Sequence, residues 1–448
     1  MRRPVGLAQQ AMMVVHNQTG AIRQRANMKQ TQCAVILLGG SLLLQGGGVQ
    51  AADWPQYRGP NQDGIAPAGA TLHWPANGPK SVWKAPTQLG FSSFAIAGGK
   101  AYTLVNHAGK EACTALDAAT GKALWCTDVD IAKYDGGGDS GTPDNKGGDG
   151  PRSTPTVNEG LVFVFTQGLK IHALDAASGK PVWAHDLVAE HSGKNIHWNN
   201  AASAVVDGDL VFTAGGGAGQ AFIAFHKKTG AVAWKSGTET ITHATPTLAT
   251  LLGERQVIYF VKSGLVAVSA KDGQELWRFP FKFAVSTAIS PVVCGDIVYC
   301  SAGYGVGGGA CRIAKQGDKF SAQELYKTEG DKLIANHWST PVCKDGYLYG
   351  MFSFKKYGAG PLKCVEVATG NVKWEKPGFG AGNVILVGDK VVALSDDGQV
   401  VLVEAKPAAY KEVGRVKAVT GKCWSTPAFS DGRLYVRSTK EGACLDVK

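Results

Sequence analysis

Nine polar and aromatic side chains recur at one kind of place in the sequence: Arg152, His197, Trp198, Asn200, His243, His337, Trp338, Asn383 and Trp424. Each falls just before, or at the place equivalent to, a tripeptide such as Ser153-Thr-Pro155, Ala244-Thr-Pro246, Ser339-Thr-Pro341 or Ser425-Thr-Pro427. His and Asn offer hydrogen bonds and Trp offers a flat face, so the set suits a planar, oxygen-rich ligand. Arg152 would pair with a carboxylate. The alternative is structural: in crowded inner strands the same groups would bind channel water or neighbouring backbone.

The elements that position them follow from a repeat. Ala115-Leu-Asp-Ala-Ala-Thr-Gly-Lys122 precedes Trp125, and Ala173-Leu-Asp-Ala-Ala-Ser-Gly-Lys180 precedes Trp183. Weaker copies precede Trp234, Trp277 and Trp374. Short alternating apolar runs lie between, among them Leu161–Phe165, Leu210–Phe212 and Tyr347–Tyr349. Asp-Gly and Thr-Gly pairs separate them as tight turns. Four short strands per roughly 40–45 residues is the pattern of a propeller blade.

Seven whole blades span about 90–129, 150–187, 199–237, 241–281, 284–330, 334–379 and 380–419. The eighth begins with residues 421–448, which stop short of a Trp strand. The segment Gly78–Trp83 supplies that strand, so first and last segments share one blade and no sheet edge stays open. The expected fold is all-β: an eight-bladed β-propeller of four-stranded blades, one domain over residues 52–448. The Trp residues 83, 125, 183, 234, 277 and 374 pack blade on blade, with Tyr326 substituting in the fifth. Asp117, Asp175 and Asp446 form turns. The runs Gly215–Gly219 and Gly303–Gly309 sit in hairpins with no helix following, so a dinucleotide phosphate loop is excluded. The Gly- and Asp-rich stretch 134–149 reads as an insertion between blades one and two. Its Asp135, Asp139 and Asp144 could hold calcium through oxygens, but their spacing matches no calcium loop, and no metal site is expected.

Residues 1–51 read as a leader with a signal peptide. The start is expected at Met28, followed by Lys29, the apolar run Ala34–Leu44 and a small-x-small cleavage site at Val49-Gln50-Ala51. The run is too short to span a bilayer, so no stable membrane span is expected and the protein is placed in the periplasm or outside the cell. The net charge of +10 includes five leader bases without an acid, and no dense basic run marks a nucleic-acid footprint. A monomer is expected. Export permits disulfides. Counting back from the Thr-Gly turn sets Cys113 opposite Cys126, at a distance a bridge could span. Cys294 with Cys311 and Cys343 with Cys364 suggest analogous contacts.

The Leu-Asp-Ala-Ala-Thr-Gly-Lys-x-x-Trp repeat resembles the tryptophan-docking repeat of eight-bladed quinoprotein alcohol dehydrogenases, which use pyrroloquinoline quinone (PQQ). The start Asp53-Trp-Pro-Gln-Tyr-Arg-Gly-Pro-Asn-Gln-Asp-Gly64 is similar to that of secreted PQQ-like repeat proteins. The resemblance spans residues 53–448 and implies PQQ as the cofactor to test. In those enzymes a disulfide between adjacent cysteines covers the quinone, an acidic base stands beside it, and Glu and Asn hold calcium. This chain has no Cys-Cys pair and lacks the long inter-blade insertions. The superfamily also contains a non-enzymatic scaffold, the propeller lipoprotein of the outer-membrane β-barrel assembly machinery. The expectation is an exported binding or scaffold module for a small molecule or a protein of the cell envelope. A small PQQ-dependent alcohol or sugar dehydrogenase is the first alternative and a carbohydrate-binding propeller the second.

Overall fold

The computed structural model describes residues 53–132, 150–352 and 359–448. The leader and the 134–149 insertion lie outside these residues. The described chain forms eight four-stranded antiparallel sheets, seven of them with their strands in chain order from the channel outward. Blade 1 is Ala95–Ala97, Lys100–His107, Lys110–Asp117 and Ala123–Ile131. Blades 2 to 7 start at Thr156, Val205, Thr247, Val292, Val342 and Asn383. Blade 8 joins Ala428–Ser430, Arg433–Arg437 and Glu441–Asp446 to Lys80–Pro86, which pairs with Glu441–Asp446 on its outer edge. The split closing blade is therefore present as the repeat implied.

Middle strands are apolar on both faces because each sheet packs between two others. Leu161–Phe165 and Val391–Leu394 are almost wholly buried, as a sheet covered on both sides requires. Outer strands alternate, as in Val372–Lys376. Each blade also has a β-bulge in its outer strand just before the docking residue. In blade 1 Leu116 faces Ala123 but Ala115 faces Trp125, so Leu124 is the extra residue. The same shift precedes Trp183, Trp234, Trp277, Tyr326 and Trp374, Trp83 in blade 8 and Gly414 in blade 7. The bulge re-aims the ring and leaves the extra residue in solvent: Val82, Leu124, Val182 and Val413 are among the exposed large apolar side chains.

The re-aimed ring docks on the Gly turn of the next blade. A Cβ on Gly121 would lie 2.7 Å from the Trp83 ring, on Gly179 2.6 Å from Trp125, and on Gly230 2.9 Å from Trp183. The indole N–H completes each contact: Trp83, Trp125, Trp183 and Trp234 donate to the carbonyls of Ala118, Ala176, Lys227 and Ala270. Tyr326 covers Gly370 in the same way. Trp277 is the exception. It donates to Gln256 Oε1 (2.7 Å) within its own blade, because blade 5 continues there into a long hairpin, Gly307–Gln316 with Lys319–Lys327, instead of a Thr-Gly turn.

The bulge also corrects the cysteine expectation. Cys113 faces Thr127 and Cys126 faces Thr114, so the two point to opposite sides of the sheet. Both are free thiols, as are Cys311 and Cys364. Counting from the turn missed the one inserted residue. The disulfide instead joins Cys294 to Cys343, on the inner strands Val292–Cys294 and Val342–Lys344 of adjacent blades.

Candidate functional site

The Ser-Thr-Pro tripeptides lie just before the inner strands, which begin one residue after the Pro, at Thr156, Thr247, Val342 and Ala428. Their first hydroxyls tie the rim to the neighbouring strand: Ser153 Oγ donates to Phe165 O (2.6 Å) and Ser425 Oγ to Arg437 O (2.7 Å). The second position contributes to a ring around the channel. The N–H of Thr426 donates to Ser93 Oγ, that of Ser93 to Thr154 Oγ1, that of Thr154 to Ser203 Oγ and that of Ser203 to Thr245 Oγ1. Further round, Ser290 N–H donates to Thr340 Oγ1 and Thr340 N–H to Asn383 Oδ1. One such residue comes from each blade and every bond points the same way. The residues before the tripeptides are thereby fixed at the channel mouth.

That mouth is a cavity of about 160 Å³. Six of the nine sequence candidates line it: Arg152, Trp198, His243, His337, Trp338 and Trp424. The other three position the wall. Asn200 is buried and its amide donates to the carbonyls of Thr166 and Ala202. Asn383 Nδ2 donates to Trp424 O (2.6 Å). His197 is exposed, and its carbonyl accepts from His243 Nε2 (3.1 Å).

Tyr57, Phe91 and Tyr304 complete the aromatic wall. Tyr57 comes from the segment before the first blade. Its neighbour Arg58 is wholly buried and donates to the carbonyls of Thr340 and Pro341 (both 2.8 Å), which pins the segment across the channel. Tyr304 lies in the Gly-rich hairpin of blade 5 at φ 61° and meets His337 edge-on, centroids 5.1 Å apart. Tyr57 precedes the repeats and Tyr304 sits in a hairpin away from the position before the inner strand, so the spacing of the tripeptides does not find them. The aromatic signal was the run Trp-Pro-Gln-Tyr-Arg-Gly ahead of the blades.

The rings form a row. Phe91 stacks on Trp424 (4.8 Å, 24°), Trp424 meets Trp338 (4.5 Å, 32°), and Trp338 meets His337 (5.1 Å). Trp338 Nε1 donates to Ala381 O (3.0 Å). Trp424 Nε1 is buried with no hydrogen-bond partner among the described residues. Lys422 lies over the Trp424 face at 4.9 Å, a cation–π contact.

Charge in the lining comes from Arg152, whose Nη1 donates to Trp198 O (2.8 Å). No carboxylate is among the described lining residues. His243 is unsuited to proton transfer. Nε2 faces a carbonyl and so carries the hydrogen, which leaves Nδ1 to accept from Ser286 Oγ. Burial, with Arg152 nearby, pushes its pKa down to about 3, so it is neutral at pH 7.

These groups do not fit the quinone the repeat implied. PQQ carries several carboxylates and needs matching cations, and its chemistry needs a carboxylate base beside it. Among the described residues the wall offers one guanidinium, no acid and no oxygen-rich calcium set.

A family model described as "Outer membrane protein assembly factor BamB" matches residues 108–375. No curated protein sequence matches the chain. Among solved structures, BamB from Moraxella catarrhalis superposes with a TM-score of 0.57 at 15% identity, over 82% of this chain and 99% of that one. The quinohemoprotein alcohol dehydrogenase from Comamonas testosteroni gives 0.63 at 13%, over 88% and 80%. The computationally designed Ika8 protein gives 0.54 at 12%, over 82% and 98%. At these identities the likeness is one of fold. Among the described residues no helix is long and apolar enough to cross a membrane.

Proposed function

We propose, since the chain belongs to the propeller family described as outer membrane protein assembly factor BamB, that it is a binding module of the cell envelope whose channel mouth takes one flat, oxygen-bearing ligand. The row Phe91, Trp424, Trp338 and His337 carries this reading. Stacked rings offer a continuous apolar face. The Trp424 N–H, without a partner among the described residues, offers a donor, and Arg152, held by Trp198 O, brings a positive charge to the lining. Sugar rings have the same duality, one face of C–H groups and a rim of hydroxyls, so an envelope polysaccharide or a carboxylated saccharide is the favoured occupant. The alternative of a quinone-dependent dehydrogenase is less favoured because no carboxylate is among the described lining residues.

The test is a saccharide array followed by calorimetry, with Trp338→Ala plus Trp424→Ala as the variant. Saturable binding by the wild type, weakened at least tenfold in the variant while the far-ultraviolet spectrum is unchanged, is expected. Reduction of a dye acceptor on adding PQQ, Ca²⁺ and an alcohol would overturn the reading and restore the enzyme.

A further inference from the structure

The outer edge of blade 2 carries a polar cluster that neither the channel mouth nor the tryptophan docking uses. His185 is near the end of the outer strand Pro181–Asp186, and Glu190 and His191 lie on the short helix Leu187–His191 that follows. Asp186 caps that helix, accepting from the N–H groups of Val188 and Ala189, which folds the helix back against the strand. One ligand atom from each of His185, Glu190 and His191 lies within 4.8 Å of the other two.

Hydrogen positions make the cluster informative. His185 Nε2 is 2.8 Å from the carbonyl oxygen of Gly230. A carbonyl only accepts, so Nε2 carries the hydrogen and Nδ1 presents its lone pair. Yet Nδ1 lies 2.5 Å from Glu190 Oε2, and an ionised carboxylate also only accepts. Two acceptors at that distance need a cation between them, either a second proton on the ring or a metal ion.

His191 decides between the two. It is 6% exposed, and neither ring nitrogen has a hydrogen-bond partner of good geometry. The nearby Gln220 side chain accepts from Lys235 Nζ through its Oε1 (3.0 Å). An unmet buried polar group is costly. A proton on His185 would not satisfy it, whereas a metal ion would. The Gly230 carbonyl behind His185 matches the outer support that ligating histidines use, and Phe225 stacks on the ring (4.8 Å, 17°) to hold its plane.

We propose that His185 Nδ1, Glu190 Oε2 and His191 together bind one divalent ion of the zinc class, with water as the fourth ligand. Two imidazoles and a carboxylate suit zinc better than calcium or magnesium. Tetrahedral bonds of ~2.1 Å set ligand atoms roughly 3.4 Å apart. To admit the ion the 2.5 Å contact between His185 and Glu190 would open by about 0.9 Å, a movement that exposed Glu190 permits, and His191 would close in. Because Gly230 and Phe225 belong to blade 3, the ion would pin blade 2 to blade 3.

The experiment uses untagged protein, titrated with Zn²⁺ against a chromophoric chelator and, separately, with Co²⁺ followed by visible absorption. One equivalent of Zn²⁺ at micromolar or tighter affinity is expected, with the intense visible bands of tetrahedral Co²⁺. Affinity should fall at least tenfold in Glu190→Gln, an exposed change that spares the fold, and further in His191→Gln. Absence of stoichiometric binding by the wild type would overturn the site and leave a protonated His185. So would a Glu190→Gln variant of unchanged affinity.

Discussion

Gly273 is the point at which tryptophan docking can be measured. A Cβ there would lie 2.4 Å from Cε3 of Trp234. The indole cannot easily retreat, because its N–H is held by Ala270 O (3.1 Å). Gly273→Ala therefore adds two costs. At φ +75° an L-residue loses roughly 1 kcal/mol, and overpacking adds about 1–3 kcal/mol. Gly253, in the same blade at φ +84°, has nothing within 4 Å of its would-be Cβ, so Gly253→Ala bears only the first cost. Urea unfolding should show a loss of ~2–4 kcal/mol for Gly273→Ala and about 1 kcal/mol for Gly253→Ala. With an unfolding entropy near 0.8 kcal/mol/K for roughly 400 residues, the melting points fall by about 3–5 °C and 1 °C. Trp234→Leu in the Gly273→Ala background should recover part of the larger loss, a positive coupling in a double-mutant cycle. Equal losses for the two glycines, or no coupling, would refute docking as the inter-blade contact.

Two other outcomes are expected. Glu111 is buried with its pKa raised to about 8 by burial, and its Oε2 accepts from the Gln167 N–H. Between roughly pH 4.5 and 8 the unfolded chain has lost this proton and the folded chain keeps it, so this group makes stability fall as pH rises through that window. In Glu111→Gln, urea melts should lose this slope; an unchanged slope would show that the carboxyl is charged when folded. The Cys294–Cys343 bridge closes a loop of 49 residues, so Cys343→Ser should cost up to about 4 kcal/mol. Non-reducing peptide mapping that pairs either cysteine elsewhere would contradict the bridge.

The blades were legible because the repeat states its chemistry locally. Leu-Asp-x-x-Thr-Gly-Lys encodes a turn whose Asp caps it, as Asp117 does by accepting from Ala119 and Thr120, and the alternation that follows encodes the outer strand. Spacing also brought six of nine rim residues to one cavity, since the ring of hydroxyls fixes the same position in every blade. Two things were not legible. A bulge inserts one residue without marking the sequence, and it moved Cys126 to the wrong face. Tyr57 reaches the cavity through Arg58, whose partners Thr340 and Pro341 are 282 and 283 residues away, and no local pattern reports a contact of that range.

The split blade also bears on the order of folding. Lys80–Pro86 can pair only with Glu441–Asp446, so its edge waits while more than three hundred residues are made. Until then the growing chain is an open arc with two unsatisfied ends, Lys100–Asp117 at one and the newest blade at the other. Contacts this distant in sequence form slowly. An arc held open exposes strand edges to other chains. Ring closure therefore acts as a completeness check: a chain interrupted before Glu441 leaves Lys80–Pro86 unpaired and remains a substrate for aggregation or proteolysis, whereas in a finished chain that strand gains its partner in a single pairing step.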